Sequence, residues 1–370
     1  MKIAILSTMT GYTWGGTEEV WHGLATRALA DGHSVLVAAD HQVIKARQTQ
    51  GLVEKGLRVS PRRIQKSPRI HRWISGIRPD HRELENFDPD VIMINAGSPF
   101  DLHYNPHLAA VVNRQKCHTV FFCHFNSDRL VRENGEAGNR VIDESDHFVF
   151  VSEANRKQME VQLARRIPNA TVLLNQSRLE LDQPLGFPEA DPVQFANVAR
   201  LETQWKAQDL LPQIFDGKQW RDRGVKVQCY GLGPDENYLK ELLESFPDLS
   251  SVTLEGYSRD VEPIWNSCHA LLLPSRGEGT PLVAVEAMMC GRPVIATDVG
   301  GNTEIIEDGV TGFIAEAPTV RSFGAALERA WQYRSNWPEM GRRAHQKAKE
   351  LAGDDPAGRL LKILTKFADQ

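Results

Sequence analysis

The sequence predicts an α/β protein built from two doubly wound, Rossmann-like domains. Short apolar runs alternate with amphipathic stretches from end to end, the pattern of a parallel sheet covered by helices on both faces. The chain has 370 residues, which at roughly 150 residues per domain implies two or three domains. One segment, Ser177 to Pro192 (SRLELDQPLGFPEADP), interrupts the alternation with three prolines, a glycine and several acids, and is predicted to link the two halves.

In the first half the predicted strands are Lys2 to Leu6, Ser34 to Ala39, Asp90 to Asn95, Thr119 to Cys123, His147 to Val151 and Thr171 to Leu174. A helix is predicted from Gly16 to Ala30, stopped by Asp31-Gly32. In the second half they are Val193 to Val198, Val225 to Tyr230, Ser251 to Gly256, Ala270 to Pro274, Pro293 to Thr297 and Gly312 to Ala315. The domains are therefore placed at 1–180 and 190–352. In the tail, 355–370, Leu360, Leu361, Ile363, Leu364 and Phe367 fall at helical spacing, so this helix is expected to pack back on the first domain. Ligands of such sheets lie beyond the carboxyl ends of the strands, and two hinged domains would face each other across a cleft.

Composition narrows the function classes. With 41% hydrophobic and 25% charged residues the chain is neither disordered nor low in complexity. A net charge of −5 gives no global attraction to nucleic acid. Five cysteines without a C-x-x-C pair point to reduced thiols rather than a disulfide framework or a zinc site. The opening MKIAILS has too short an apolar run for a signal peptide, and no run approaches the ~20 apolar residues of a membrane span. A cytoplasmic protein, at most peripheral to a membrane, is expected.

The most informative window is Pro274 to Gly301, PSRGEGTPLVAVEAMMCGRPVIATDVGG. A turn of small residues follows a strand. Thr280 is predicted as N-cap and Pro281 as first helical residue, and Gly291 with Pro293 ends the helix near Cys290. From Leu282 to Met289 every side chain but one is apolar. The exception is Glu286, a carboxylate that is costly to bury without hydrogen bonds and that two hydroxyls of a ribose could supply. Glu278, just before the helix, is expected close to its free N–H groups. Those groups and the positive helix end suit a diphosphate, which makes Gly279, Thr280, Pro281 and Leu282 candidate binding residues. Glu286 lies about 7 Å further along the axis at ~1.5 Å rise per residue. Sugar, diphosphate and ribose would span that line.

Two glutamates separated by seven residues in EGTPLVAVEAMMCGRPVIATDVGG resemble the donor-site signature of retaining GT-B glycosyltransferases of family 4 (glycosyl transferases group 1). VARLETQWKAQDLL, Val198 to Leu211, resembles the family's R-x5-K element, which implies that Arg200 and Lys206 clamp the donor diphosphate. GYTWGGTEEV, Gly11 to Val20, resembles its first-strand glycine loop, so Gly15 and Gly16 would let backbone approach the donor. DHFVFVSEANRKQM and FDPDVIMIN match more loosely. The resemblance implies transfer of a sugar from a nucleoside-diphosphate sugar to an acceptor hydroxyl with retained anomeric configuration, no metal or other cofactor, and no protein nucleophile. It implies catalytic roles for His124, Glu278, Arg200 and Lys206. A nucleotide-sugar epimerase on the same architecture and a non-catalytic sugar-nucleotide-binding protein are the alternatives.

His124 ends a strand where side chains point toward the ligand, and the resemblance gives it a place near the donor sugar; Asn126 and Asp128 could meet hydroxyls or simply form a polar loop. Tyr257, in the loop after another strand, is a candidate for approaching the nucleobase. Gly231-x-Gly233 lacks the third glycine of a dinucleotide fingerprint. Asp88-Pro89-Asp90 is literally the D-x-D of metal-dependent transferases, but its place before a strand favours a turn. Residues 45–82 carry 11 Lys or Arg against Glu54 and Asp80, a local +9. There PRIHRWISGIR aligns Ile70, Trp73, Ile74 and Ile77 on one helical face, a candidate for contact with an anionic membrane or a lipid-linked acceptor.

Overall fold

The computed structural model describes residues 1–9, 14–62, 82–132, 134–175, 179, 181–352 and 355–368. The basic helix expected around residues 70–77, and the start of the glycine loop at residues 10–13, lie outside them. The chain divides into two compact units, Met1–Asn175 with Asp355–Gln370, and Gln176–Asp354.

The first unit holds β1 (Lys2–Ser7), β2 (Ser34–Asp40), β3 (Arg58–Arg62), β4 (Val91–Ala96), β5 (His118–Cys123), β6 (His147–Phe150) and β7 (Ala170–Val172). They pair in the order β3-β2-β1-β4-β5-β6-β7, all parallel. Side chains on both faces of the central strands are buried, as a sheet clad on both sides requires: Ala4, Leu6, Ile92 and Ile94 on one face, Ile3, Ile5, Val91 and Met93 on the other. Six of these strands match the predicted runs. Sequence patterning missed β3, because RVSPR carries two arginines and a proline and has no apolar run. It is an edge strand, where a proline is tolerated.

The helix Gly16–Ala30 buries Trp21, Leu24, Ala25 and Ala28 against that sheet. The C-terminal helix Pro356–Ala368 joins the same core through fully buried Leu360 and Leu364, each contributing about 1.5–3 kcal/mol. Its Ala357 lies against Gly23 of the first helix.

The second unit holds β8 (Gln194–Val198), β9 (Lys226–Tyr230), β10 (Val252–Gly256), β11 (Ala270–Leu273), β12 (Val294–Thr297) and β13 (Gly312–Ala315), in the order β10-β9-β8-β11-β12-β13 and again all parallel. The order reverses direction at β8/β11, the kind of switch point where such sheets bind ligands.

The segment expected as a linker is part of this unit over its described length. Leu179, Leu181, Leu185 and Phe187 pack on its core. The fully buried Arg292 donates to the carbonyls of Trp265 (2.7 Å), Gly186 (2.6 Å) and Leu185 (3.4 Å), and burial pushes its guanidinium down to about 10. Scattered leucines dock a stretch whose prolines and acids hide them from periodicity.

Candidate functional site

The carboxyl ends of β8 and β11 meet at the switch point, and each leads into a loop that carries charge. After β8 the chain runs through Arg200 into the single turn Thr203–Lys206, closed by Ala207 in the left-handed region (φ 53°). After β11 it runs through Ser275 and Arg276 to Glu278. Lys206 Nζ donates to both carboxylate oxygens of Glu278, at 2.7 and 2.8 Å. Ser275 Oγ donates to Oε1 of the same carboxylate at 2.7 Å. Glu278 is buried, while Lys206 keeps about a quarter of its side chain exposed. The carboxylate thus faces Lys206 and Ser275 rather than the helix N–H groups where the sequence placed it. Its loop backbone reaches its position only because Gly300 has φ +53° and no side chain: a Cβ there would lie 2.3 Å from the Glu278 carbonyl oxygen.

The helix itself runs Leu282–Met289. Thr280 is not its cap and Pro281 is not its first residue: Pro281 is extended (φ −73°, ψ 112°), occupies the N-cap position, and offers its carbonyl to Ala284 N–H at 3.0 Å. The N–H groups of Leu282 and Val283 have no backbone partner among the described residues, as the first turn of a helix dictates. Ala284, Val285, Ala287, Met288 and Met289 are buried, leaving Leu282, Val283 and Glu286 on the one half-open face. Glu286 has no hydrogen-bond or ion-pair partner among the described residues, and burial holds its carboxyl above the ordinary carboxylate range. A carboxylate kept in this state is suited to accept hydrogen bonds from a ligand.

Arg200 is about a quarter exposed, with Nη1 3.4 Å from Glu202 Oε2. Gly231 and Gly233 support its loop and take no part in a dinucleotide fingerprint: a Cβ on Gly231 would lie 1.9 Å from Ala199 O, and one on Gly233 2.1 Å from Leu201 O. Tyr257 follows β10 and is exposed.

In the first unit, His124 follows β5 and is buried, stacked on Phe122 with centroids 4.1 Å apart. Its Nε2 lies 2.8 Å from Asn95 Oδ1. Asn95 Nδ2 donates to Thr17 O at 3.3 Å, which turns the amide oxygen toward the ring and puts the imidazole proton on Nε2. The Asn175 amide lies within reach of the ring, and His124 Nδ1 has no hydrogen-bond partner among the described residues. Burial pushes the imidazole down to about 3, so at neutral pH His124 is an uncharged ring with its single proton on Nε2.

Gly15 is the N-cap of Gly16–Ala30, and its carbonyl accepts from Glu18 and Glu19 N–H, both at 3.1 Å. It passes over the fully buried Glu18 carboxylate, which accepts from Thr17 Oγ1 at 2.7 Å and whose carboxyl is raised by burial. Asn126 is committed internally, donating to Gln162 Oε1 at 2.9 Å, and Asp128 accepts from Ser127 Oγ at 3.3 Å. Asp90 Oδ2 accepts from Lys2 N–H at 2.6 Å at the amino end of β4, the turn its sequence position favours, while Asp88 is exposed.

The sequence also matches known families over both units. Residues 14–171 match the model described as Glycosyltransferase Family 4, and residues 192–332 the one described as Glycosyl transferases group 1. The chain belongs to glycosyltransferase family 4. An uncharacterised glycosyltransferase of Methanocaldococcus jannaschii is 46% identical over 199 residues, covering 51% of this chain and 52% of that protein. An exopolysaccharide phosphotransferase of Streptomyces coelicolor is 26% identical across 96% of this chain. The chain spans only 39% of that relative's length and 28% of a Pseudomonas syringae glycogen synthase that is 34% identical over 140 residues. Among solved structures, Anabaena HepE in complex with UDP superposes with a TM-score of 0.73 at 18% identity over the whole of both chains. TarM does so at 0.70 and 13% identity, over 100% of this chain and 99% of that one. The two parallel-sheet units therefore form the GT-B fold.

Within this family 4 chain, sequence reasoning found Glu278, Lys206 and Glu286 and missed what holds them. Ser275, Asp209, Asp235, Gln208 and Gly300 gave no signal, because nothing in a single sequence ties position 209 to 276 or 278 to 300. Arg276, two residues before Glu278, was the one detectable candidate by position.

Proposed function

We propose that the protein transfers a glycosyl group from a nucleoside-diphosphate sugar to an acceptor hydroxyl with retention of configuration, in the assembly of a polysaccharide or glycolipid. The observation that carries this reading is the Lys206–Glu278 pair beside the half-open helix face that bears Glu286, a carboxyl with no partner among the described residues. Arg200, Lys206 and the N–H groups of Leu282 and Val283 stabilise the charge that grows on the leaving diphosphate, an electrostatic contribution aimed at the transition state. The bond from the anomeric carbon to the phosphate oxygen breaks as the acceptor oxygen bonds the same face, and the acceptor proton passes to the departing phosphate. Glu278 orients the donor sugar and Glu286 accepts hydrogen bonds from the ribose. His124, neutral and with Nε2 committed to Asn95, serves as neither acid nor base. These cations and N–H groups supply the positive charge that a metal provides elsewhere, so transfer is expected to persist in EDTA.

The test begins with a panel of nucleotide sugars screened for thermal stabilisation. Hits are then assayed for release of nucleoside diphosphate with saccharide and lipid-linked acceptors. Acceptor-dependent release supports the reading; conversion of the donor without any acceptor makes the protein an epimerase, and binding without turnover makes it a binding protein. The basic segment 45–82 adds a membrane-surface expectation, checked by co-sedimentation with anionic and neutral vesicles, and indifference to lipid charge overturns it. No helix among the described residues is long and apolar enough to cross a membrane.

A further inference from the structure

Lys206 is held by a surprisingly short element. Thr203–Lys206 is one turn of four residues, too short to be stable alone, on a loop whose lysine must be fixed to within a fraction of an ångström if it is to meet a diphosphate. From its own side the loop is held by Asp235 Oδ2, which accepts from Thr203 N–H (2.7 Å) and Oγ1 (2.8 Å), and by Gln208 Nε2 donating to Arg200 O at 2.7 Å. The Asp235 bonds tie the loop to the segment that follows β9. None of them sets its distance from Glu278.

That distance is set by Arg276. Its guanidinium grips Asp209 with two parallel bonds, Nη1 to Oδ1 at 2.6 Å and Nη2 to Oδ2 at 2.8 Å, and Nη1 also donates to Thr203 O at 2.6 Å. Its backbone N–H donates to Trp205 O at 2.7 Å, and that of Gly277 to the same carbonyl at 3.3 Å. One residue therefore contacts the lysine loop twice within the turn, at positions 203 and 205, and once after it, at position 209. It stands two residues from the carboxylate that Lys206 grips. Arg276 and Asp209 are both mostly buried, at 15% and 18% side-chain exposure, so the pair is not the loose surface kind that contributes little. The two-pronged geometry is one only arginine provides.

We propose that Arg276 and Asp209 are positioning residues that lock the Lys206 loop to the Glu278 loop and thereby set the geometry with which Lys206 meets the donor diphosphate. This rests on the donor-site reading above. It assigns Arg276 no contact with the ligand: its charge is spent on Asp209 and Thr203.

The experiment is a double-mutant cycle on nucleoside-diphosphate affinity, with UDP, GDP and ADP as probes and the tightest wild-type binder carried forward, and a thermal melt on every variant. Lys206→Ala is expected to weaken binding at least tenfold and Arg276→Gln about fivefold. The double variant is expected to bind within twofold of Lys206→Ala, because the arginine acts through the lysine. Losses that multiply, or wild-type affinity in Arg276→Gln, overturn the proposal. Asp209→Asn gives the sign. A bracket predicts weaker binding, whereas an arginine acting directly by its charge predicts tighter binding once the neutralising carboxylate is gone, and that result also overturns it. Arg276→Lys, which keeps the charge without the fork, is expected to fall with Arg276→Gln; full rescue by lysine counts against the bracket. A lower melting temperature with unchanged affinity assigns the pair a merely structural role and overturns the proposal. Failure of wild type to bind all three diphosphates, or wild-type affinity in Lys206→Ala, instead removes the donor-site reading on which the proposal rests.

Discussion

The carboxyl ends of the two sheets are built from opposite chemistry. In the second unit the edge is charged: Lys206 on Glu278, Arg276 on Asp209, Arg200 beside Glu202, and Glu286 alone among the described residues. In the first unit the ends of the central strands β1, β4 and β5 carry neutral side chains: His124 bonds Asn95, Asn95 donates to Thr17 O, and Ser7 and Thr17 donate to the buried Glu18 carboxyl, while the buried charges Asp40 and Arg62 end the outer strands β2 and β3. Burial there favours the neutral form of both His124 and Glu18. A charged edge can bind a highly charged ligand part and respond steeply to single substitutions; a neutral one orients hydroxyls and is less sensitive, since a neutral hydrogen bond is worth about 0.5–1.5 kcal/mol against about 1.5–3 for a charged one. The contrast predicts large effects in the second unit and small ones in the first.

The largest effect is expected from Lys206→Ala. Losing a charge-assisted contact of about 1.5–3 kcal/mol slows transfer about 10- to 150-fold, while far-UV circular dichroism changes little and the melting temperature falls, because buried Glu278 loses the ammonium that both its oxygens accept from. Steady-state kinetics on purified variant and wild type measure this. Wild-type turnover would take Lys206 out of the site and break the contrast at its strongest point.

Glu286→Gln sharpens it in two directions at once. The carboxyl is raised above its ordinary value of 4.5 in the folded protein, so the folded state holds that proton more tightly than the unfolded chain, and stability falls as pH rises from about 4.5 through the raised value. Glutamine abolishes that loss. The ligand-free variant is therefore expected to melt higher than wild type at neutral pH, by about 2–4 °C per kcal/mol recovered, and the gap should close as pH falls to 4.5 and below. Affinity for the nucleoside diphosphate is expected to drop about tenfold, in line with one charge-assisted hydrogen bond. Scanning fluorimetry across pH, with and without nucleotide, reads both. A variant that melts lower at neutral pH would mean that Glu286 is a paired structural acid.

The same contrast explains what the sequence revealed. Apolar runs announced twelve of the thirteen strands among the described residues because a sheet buried on both faces needs unbroken runs; β3 escaped because RVSPR, with two arginines and a proline, holds no such run. The charged edge was legible because its groups sit on short loops and one helix, at spacings a family can preserve: Arg200 six residues before Lys206, Glu278 eight before Glu286. Even so, the local chemistry around Glu278 and Thr280 was misplaced. A turn that bends one residue later puts Pro281 at the cap and sends the Glu278 carboxylate to Lys206, a partner 72 positions away. The neutral edge was hardly legible. Residues 7, 17, 95, 124 and 175 share no spacing, and only the sheet brings them together, so His124 was found by its place at a strand end and its neutrality was not.

That neutrality yields the smallest and most pointed expectation. His124 has an ordinary value of 6.5 and is pushed down to about 3 by burial. Between these values the unfolded chain takes up a proton that the folded protein refuses, so the folded state loses stability as pH falls from 6.5 toward 3. His124→Gln keeps hydrogen-bonding capacity without that proton, and its stability is expected to fall less steeply over the same acid range, measured by urea unfolding at stepped pH. Because the ring is neutral throughout pH 5 to 8, the variant's rate profile in that window should keep the wild-type shape, with transfer reduced by less than about tenfold, the scale of one neutral hydrogen bond. An inflection near pH 6.5 in wild type that disappears in His124→Gln would show a ring that titrates during turnover. It would make the first unit's edge a participant in proton transfer and erase the division of labour between the two sheets.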